Sequence, residues 1–201
     1  AILYGGAGDQ YGSAVAVGPG DVYVAGNGAS AIILSYDSPP IPVPQWVTAT
    51  PASSYYYGIA AAGSTLYLAG VAIPSACGAS DGAGSTEGKT SHARVTTAGV
   101  FVGCGSWNPF PYRGGENYNA VATSNEGGVD YYYAAGSGEQ MGFGYSMPFL
   151  LVKYDSGGAQ VGATSEPFVV LYSTQVCGNP PRSNVRVTTV FNGSVYTAGS
   201  S

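Results

Sequence analysis

The sequence predicts an all-β protein, and more specifically a β-propeller of four-stranded antiparallel blades. Three observations carry that expectation. A β-rich run ending in Ala-Gly recurs four times along the chain. Each run is preceded by another short apolar strand across a turn-forming segment. Glycine supplies 32 of 201 residues, about twice its usual share, so the chain turns often and leaves little room for long helices.

The recurring runs are Val22-Tyr23-Val24-Ala25-Gly26, Leu66-Tyr67-Leu68-Ala69-Gly70, Tyr132-Tyr133-Ala134-Ala135-Gly136 and Val195-Tyr196-Thr197-Ala198-Gly199, with tyrosine at the same place in each. Ahead of them lie strands at Ala14 to Val17, Gly58 to Ala61, Ala120 to Thr123 and Val185 to Thr189. The intervening segments contain Gly18-Pro19-Gly20-Asp21, Gly63-Ser64, Asn125-Glu126-Gly127-Gly128 and Asn192-Gly193, residues that supply positive φ or preset a bend, so each pair reads as a hairpin. A third strand follows the first three runs, at Ala31 to Asp37, His92 to Thr97 and Phe149 to Asp155. The expected fourth strands are Gln45 to Thr50, Val100 to Cys104 and Phe168 to Ser173.

Four antiparallel strands in about 45 to 65 residues match the size and content of a propeller blade. Such a blade cannot bury both faces alone, and stacking against neighbours does it. The small residues of the first strand, Ala14, Ala16, Ala60, Ala61 and Ala122, suit the crowded centre of a ring. The chain divides into a strand at 1–6 that completes a preceding blade, blades at 7–51, 52–112 and 113–173, and a partial blade at 174–201. With about three full blades and unmatched ends, it reads as an excerpt of a larger ring, since an open ring would expose edge strands.

Tyr4-Gly5-Gly6, Ala14-Val15-Ala16-Val17, Val22-Tyr23-Val24-Ala25-Gly26 and the run from Phe149 through Lys153-Tyr154-Asp155 to Gly157 resemble the bacterial and archaeal β-propeller repeat called SBBP. The resemblance covers nearly the whole chain. The second copy departs from it, with Val95-Thr96-Thr97 in place of the Lys-Tyr-Asp stretch, and the fourth stops after two strands. The resemblance implies a secreted or surface-attached protein and implies no reaction.

Composition narrows the function classes. The net charge is −5, and the six basic residues are scattered, which argues against a nucleic-acid partner. No apolar run approaches the roughly 18 to 20 residues of a membrane-spanning helix. The start at Ala1, without an initiator methionine or a charged leader, reads as a mature chain or an excerpt. Few lysines with abundant Tyr, Ser, Thr and Gly point to an extracellular or cell-surface location. Cys77, Cys104 and Cys177 lie far apart with no C-x-x-C pair, which disfavours zinc or redox chemistry. One disulfide, with Cys77 and Cys104 as its candidates, and one odd thiol is the expected arrangement, beside the alternative of three free thiols.

No cofactor or metal is expected. His92 is the single histidine, sits at the start of a strand, and has no G-x-S-x-G elbow to serve, so a structural role is expected of it. Asp81-Gly82-Ala83-Gly84-Ser85 lacks the alternating acids and terminal glutamate of a calcium loop. Asn192-Gly193-Ser194 is a glycosylation sequon by pattern, within an expected turn. The loops leading into the first strands carry Asp9, Tyr11, Tyr55, Tyr56, Glu116, Tyr118 and Arg182. In a propeller those loops gather on one face, where tyrosines would offer flat apolar rings with polar tips to a sugar or a protein. The expected function is a non-catalytic extracellular module with a structural, adhesive or binding role. Its expected partners are protein or carbohydrate at the cell surface, or identical subunits. The alternative is an extracellular hydrolase or lyase acting on polysaccharide, using loop carboxylates and tyrosine.

Overall fold

The computed structural model describes residues 11–18, 20–28, 31–37, 43–50, 54–72, 77, 88–106, 116–138, 149–161 and 184–200. Backbone alone is described at Glu116, Gly138, Phe149, Asn184 and Ser200. The expected strands at 1–6 and 168–173, together with Asp9, Cys177 and Arg182, lie outside the described residues.

Among the described residues every regular element is a strand. In chain order these are β1 (Tyr11–Val17), β2 (Asp21–Asn27), β3 (Ala31–Asp37), β4 (Trp46–Ala49), β5 (Ser54–Ala62), β6 (Thr65–Ala72), β7 (Lys89–Thr96), β8 (Phe101–Ser106), β9 (Glu116–Glu126), β10 (Val129–Gly138), β11 (Phe149–Asp155), β12 (Asn184–Phe191) and β13 (Ser194–Ser200). They form four sheets in sequence. The first is β1-β2-β3-β4, the second β5-β6-β7-β8, the third β9-β10-β11 and the fourth β12-β13, all with antiparallel neighbours and none closed on itself. The four Ala-Gly runs therefore occupy the second strand of four separate sheets.

Two of the hairpins turn on residues with positive φ at both central positions, Gly127-Gly128 and Asn192-Gly193, as a type I′ turn requires. Its twist matches that of the flanking strands, which lets β9 and β10 run long.

The recurring Ala-Gly has a geometric cause. In every first hairpin the register slips by one residue, between Gly12 and Ala14, between Tyr56 and Gly58, opposite Ala135-Gly136, and between Val185 and Val187. The first strand thus carries a β-bulge facing the Ala-Gly pair, with Ser13, Tyr57, Asn119 and Arg186 as the unpaired residues. The bulge drives its backbone toward the partner strand. A Cβ on Gly70 would sit 1.9 Å from the Tyr55 carbonyl oxygen, and one on Gly136 would sit 1.9 Å from that of Asn117. Only glycine leaves room for this approach.

The same bulge explains why the first strands are longer than the sequence suggests. Alternation of apolar and polar residues changes phase at the extra residue, so the first three expected strands begin just after it, at Ala14, Gly58 and Ala120, whereas the fourth, from Val185, already spans it. Pairing in fact continues through it to Tyr11, Ser54, Glu116 and Asn184. Tyr11, Tyr55, Tyr56, Glu116 and Tyr118 consequently belong to strands and not to loops.

Consecutive sheets stack face to face. β1 and β2 lie against β5, β5 and β6 against β9, and β9 and β10 against β12, so the first strands are successive neighbours. Each sheet has a forward face bearing the Tyr-x-Ala residues of its second strand and a rear face bearing the intervening ones. The forward face of the first sheet, with Tyr23, Ala25 and Ile33, packs on the rear face of the second, with Tyr56, Ile59, Leu66, Leu68, Ala93 and Val95. Tyr67 and Ala69 of the second sheet likewise pack on Tyr118, Val121, Tyr132, Ala134, Leu150, Val152 and Tyr154 of the third.

Polar groups fasten these layers. The Asn27 side chain accepts from the Tyr56 backbone N–H at 3.0 Å and donates to the Tyr56 carbonyl at 2.9 Å. Trp46 Nε1 donates to the Thr97 carbonyl at 3.1 Å, and Arg94 Nη1 to the Ser156 carbonyl at 3.0 Å. Cys77 and Cys104 form a disulfide that ties the segment after β6 to β8 across a separation of 27 residues.

Candidate binding face

Bulges put successive side chains of the first strands on different duties. Tyr56 and Tyr118 are fully buried, each at the rear face of its sheet, whereas the residues on either side of them are only partly covered. Burial corrects the expectation for these two tyrosines. Their rings fill the inter-sheet core, and their hydroxyls are used there, Tyr56 beside Ser91 Oγ at 3.4 Å and Tyr118 beside Tyr154 Oη at 2.8 Å.

What remains at the leading end of the first strands is a tyrosine and asparagine set. Tyr11 is 56% exposed, and Tyr55 and Tyr57 are half-buried. The three are electrostatic neighbours. Partial burial raises the Tyr57 hydroxyl pKa above its ordinary value, and the nearby Tyr11 and Tyr55 raise it further. In β9 the equivalent places belong to Asn117 and Asn119. Asn117 Nδ2 donates to Asn119 Oδ1 at 2.6 Å, and Ser137 Oγ donates to Asn117 Oδ1 at 3.0 Å. In β12 the bulge residue is Arg186, which is exposed.

Since β1, β5 and β9 are neighbours, these rings and amides share one end of the stack. Aromatic faces beside amide donors and acceptors suit a neutral polyhydroxylated ligand, which needs stacking area and fixed hydrogen-bond partners together. Of the residues singled out from sequence, Tyr11 and Tyr55 join this set. Glu116 opens β9 at the same end with its side chain outside the described atoms, and Arg182 lies outside the described residues. Sequence reasoning missed Tyr57, Asn117, Asn119 and Arg186. The signal that marks them is their offset from the Ala-Gly pair, readable only once the bulge is known.

His92 belongs to a different environment. It is 5% exposed and packed between the second and third sheets, with its ring centroid 4.2 Å from that of Tyr154 and its Nδ1 hydrogen-bonded to the Tyr132 hydroxyl at 2.7 Å. Tyr132 is also stacked on Tyr67 at 4.5 Å and on Tyr154 at 5.0 Å. Burial, helped by the Arg94 charge, lowers the His92 pKa to about 4, so the imidazole is neutral near pH 7 and can accept this bond. Burial pushes the Tyr132 hydroxyl well up, which keeps it protonated and uncharged. The cluster is thus a neutral, closed hydrogen-bonded core, in keeping with a structural role for the histidine.

An exposed charged group lies on the forward face of the third sheet. Lys153 Nζ meets Glu126 Oε2 at 2.6 Å, the Tyr133 hydroxyl donates to Glu126 Oε1 at 2.8 Å, and Lys153 stands 4.0 Å above the Tyr131 ring. Hydrogen bonds from Lys153, Tyr133 and Ser124 lower the Glu126 pKa to about 2, so it is a fixed anion and not a proton donor or acceptor near neutrality. Asn192 is exposed at the tip of the β12–β13 hairpin. Among the described residues no group of three His, Cys, Asp or Glu side chains is placed to hold a metal ion, and no helix is long and apolar enough to cross a membrane. Comparison with protein families and with curated proteins found no match to this chain.

Proposed function

We propose that the chain is a non-catalytic, extracellular or cell-surface binding module of β-propeller type. Its binding face is the leading end of the first strands, and its ligand is a neutral carbohydrate. The observation that carries the reading is the grouping of Tyr11, Tyr55 and Tyr57 at the end where Asn117 and Asn119 also emerge. The propeller reading is supported by the repeated strand order, the succession of first strands and the stacking of each forward face on the next rear face. The SBBP-like motifs point the same way, with blades at 7–51, 52–112 and 113–173. The Cys77–Cys104 disulfide fits an oxidising compartment, where such bonds persist.

Calorimetric titration of the purified chain with soluble neutral oligosaccharides tests the proposal, beside the same titration of Tyr55→Ala and Tyr57→Ala. Saturable heat with at least one sugar, lost in both variants while their circular dichroism is unchanged, is the expected result. Absence of binding across a panel of hexose and pentose oligomers would remove the carbohydrate reading.

A further inference from the structure

The sequence motif that the proposed function leaves unused is Asn192-Gly193-Ser194, the single Asn-x-Ser/Thr of the chain. In the fold it forms the tip of the β12–β13 hairpin. Asn192 and Gly193 are its two central residues, at φ +48° and +73°, and Phe191 pairs with Ser194 as the last rung below them. All three residues of the motif are exposed, and a Cβ on Gly193 would meet nothing within 4 Å. This openness belongs to the hairpin tips in general and does not depend on what lies beside the fourth sheet. The third sheet is flanked on both sides, by the second sheet and by β12, yet a Cβ on Gly127 or Gly128 at its tip also meets nothing within 4 Å. Gly63 and Ser64 are likewise exposed at the tip of the second sheet, which lies between the first and the third. Stacking covers the faces of the sheets and leaves the tips of the first hairpins in solvent.

We propose that Asn192 is a site of asparagine-linked glycosylation, bearing a sugar chain at the end of the stack opposite the tyrosine and asparagine set. The acceptor atom is the side-chain amide nitrogen, and elsewhere in the chain such amides are already engaged. Asn27 Nδ2 donates to the Tyr56 carbonyl at 2.9 Å, Asn117 Nδ2 to Asn119 Oδ1 at 2.6 Å and Asn125 Nδ2 to Asp130 Oδ1 at 2.7 Å. The exposed Asn192 makes no such bond among the described residues. The Ser194 hydroxyl, two residues on, is the second group that a transferase reads, and Gly193 between them leaves the backbone free to bend where proline would not. Engaging the motif requires only the Phe191–Ser194 rung to open, at an exposed hairpin end where local opening costs least. In the transfer, Asn192 Nδ2 forms a C–N bond to the anomeric carbon of a sugar carried on a lipid pyrophosphate. The bond from that carbon to the pyrophosphate oxygen breaks, the lipid pyrophosphate leaves with the electron pair, and the amide gives up one proton to a base of the transferase. The product fits the folded chain without rearrangement, because a bulky hydrophilic group at this tip stays in water. The inference shares the extracellular setting of the proposed function and no residue of its binding face, so either can fail without the other.

Expression of the full chain through the secretory pathway of a eukaryotic host that glycosylates Asn-x-Ser/Thr sites, followed by intact-mass measurement, tests the proposal. The recovered chain should be heavier than the polypeptide by a whole oligosaccharide. Peptide N-glycosidase should remove that mass and leave an aspartate at position 192. Asn192→Gln and Ser194→Ala should each lose the added mass completely, whereas Ser194→Thr, which keeps the hydroxyl, should retain it. Ser194→Ala leaves both central residues of the turn in place, and unchanged circular dichroism in the three variants shows that the fold persists. A wild-type chain recovered without sugar overturns the inference, as does one whose only change is the loss of ammonia that turns the asparagine of an Asn-Gly pair into aspartate. So does an enzyme-released sugar that survives Asn192→Gln, which would place the attachment elsewhere.

Discussion

Gly136 shows how a single atom decides a strand. A Cβ there would sit 1.9 Å from the Asn117 carbonyl and 2.6 Å from the Tyr118 Cα, both backbone atoms that cannot swing away. Gly136→Ala is expected to cost about 3 kcal/mol, at the upper end of what overpacking costs, because β9 must shift bodily. Gly127 has φ +63°, and a methyl group on its Cα would meet nothing within 4 Å, so Gly127→Ala should cost only about 1 kcal/mol from backbone conformation. Urea unfolding of the two variants beside wild type measures the difference. His92 supplies a second test at this scale. Its folded pKa of about 4 lies below the value of 6.5 it takes when exposed, so between these limits the unfolded chain binds more protons. The contribution of His92 is therefore complete above pH 6.5 and is lost as pH falls toward 4, by roughly 3 kcal/mol. His92→Gln should flatten the pH dependence of the unfolding midpoint over that window, and an unchanged slope would assign the dependence to other groups.

At the scale of elements, the bulged hairpin is the repeating unit, and its sequence mark is the Ala-Gly pair. That mark locates β2, β6, β10 and β13 correctly because a close backbone approach demands glycine wherever it occurs. The bounds of β3 and β11 are also legible, since Ala31–Asp37 and Phe149–Asp155 are uninterrupted β-rich runs. The leading ends of β1, β5 and β9 are not, because the bulge shifts the alternation and makes a paired strand look like a loop, whereas β12 is expected from Val185, one residue inside its start. The binding face suffers from the same shift. Tyr55, Tyr56 and Tyr57 are indistinguishable as residue types, and only the register with Val71 and Gly70 divides the buried ring from its neighbours. The disulfide acts on elements too, by tying the segment after β6 to β8. Its reduction should lower stability by about 3 kcal/mol on loop-entropy grounds, read as the shift in denaturation midpoint with and without dithiothreitol.

Across the whole molecule, stability depends on sheets covering sheets. Equivalent positions should then respond according to their place in the stack and not their sequence. Tyr67→Ala removes a ring that is 1% exposed and stacked on Tyr132, and is expected to cost about 3 to 5 kcal/mol. Tyr196→Ala changes the corresponding residue of the fourth sheet, which is 55% exposed, and should stay within about 0.5 kcal/mol in dilute solution. Equal losses at the two sites, in thermal or urea unfolding at low protein concentration, would contradict the stacking described above.

Local chemistry alone determined the all-β class, the hairpins, the four-part repeat and the pairing order within each sheet, because turn residues and short apolar strands act over a few neighbours in the chain. The tertiary structure decided which copy of a repeated residue is buried. Tyr23, Tyr67, Tyr133 and Tyr196 stand in equivalent runs, and their exposure differs because burial depends on what the following sheet covers, a contact made between residues far apart in sequence.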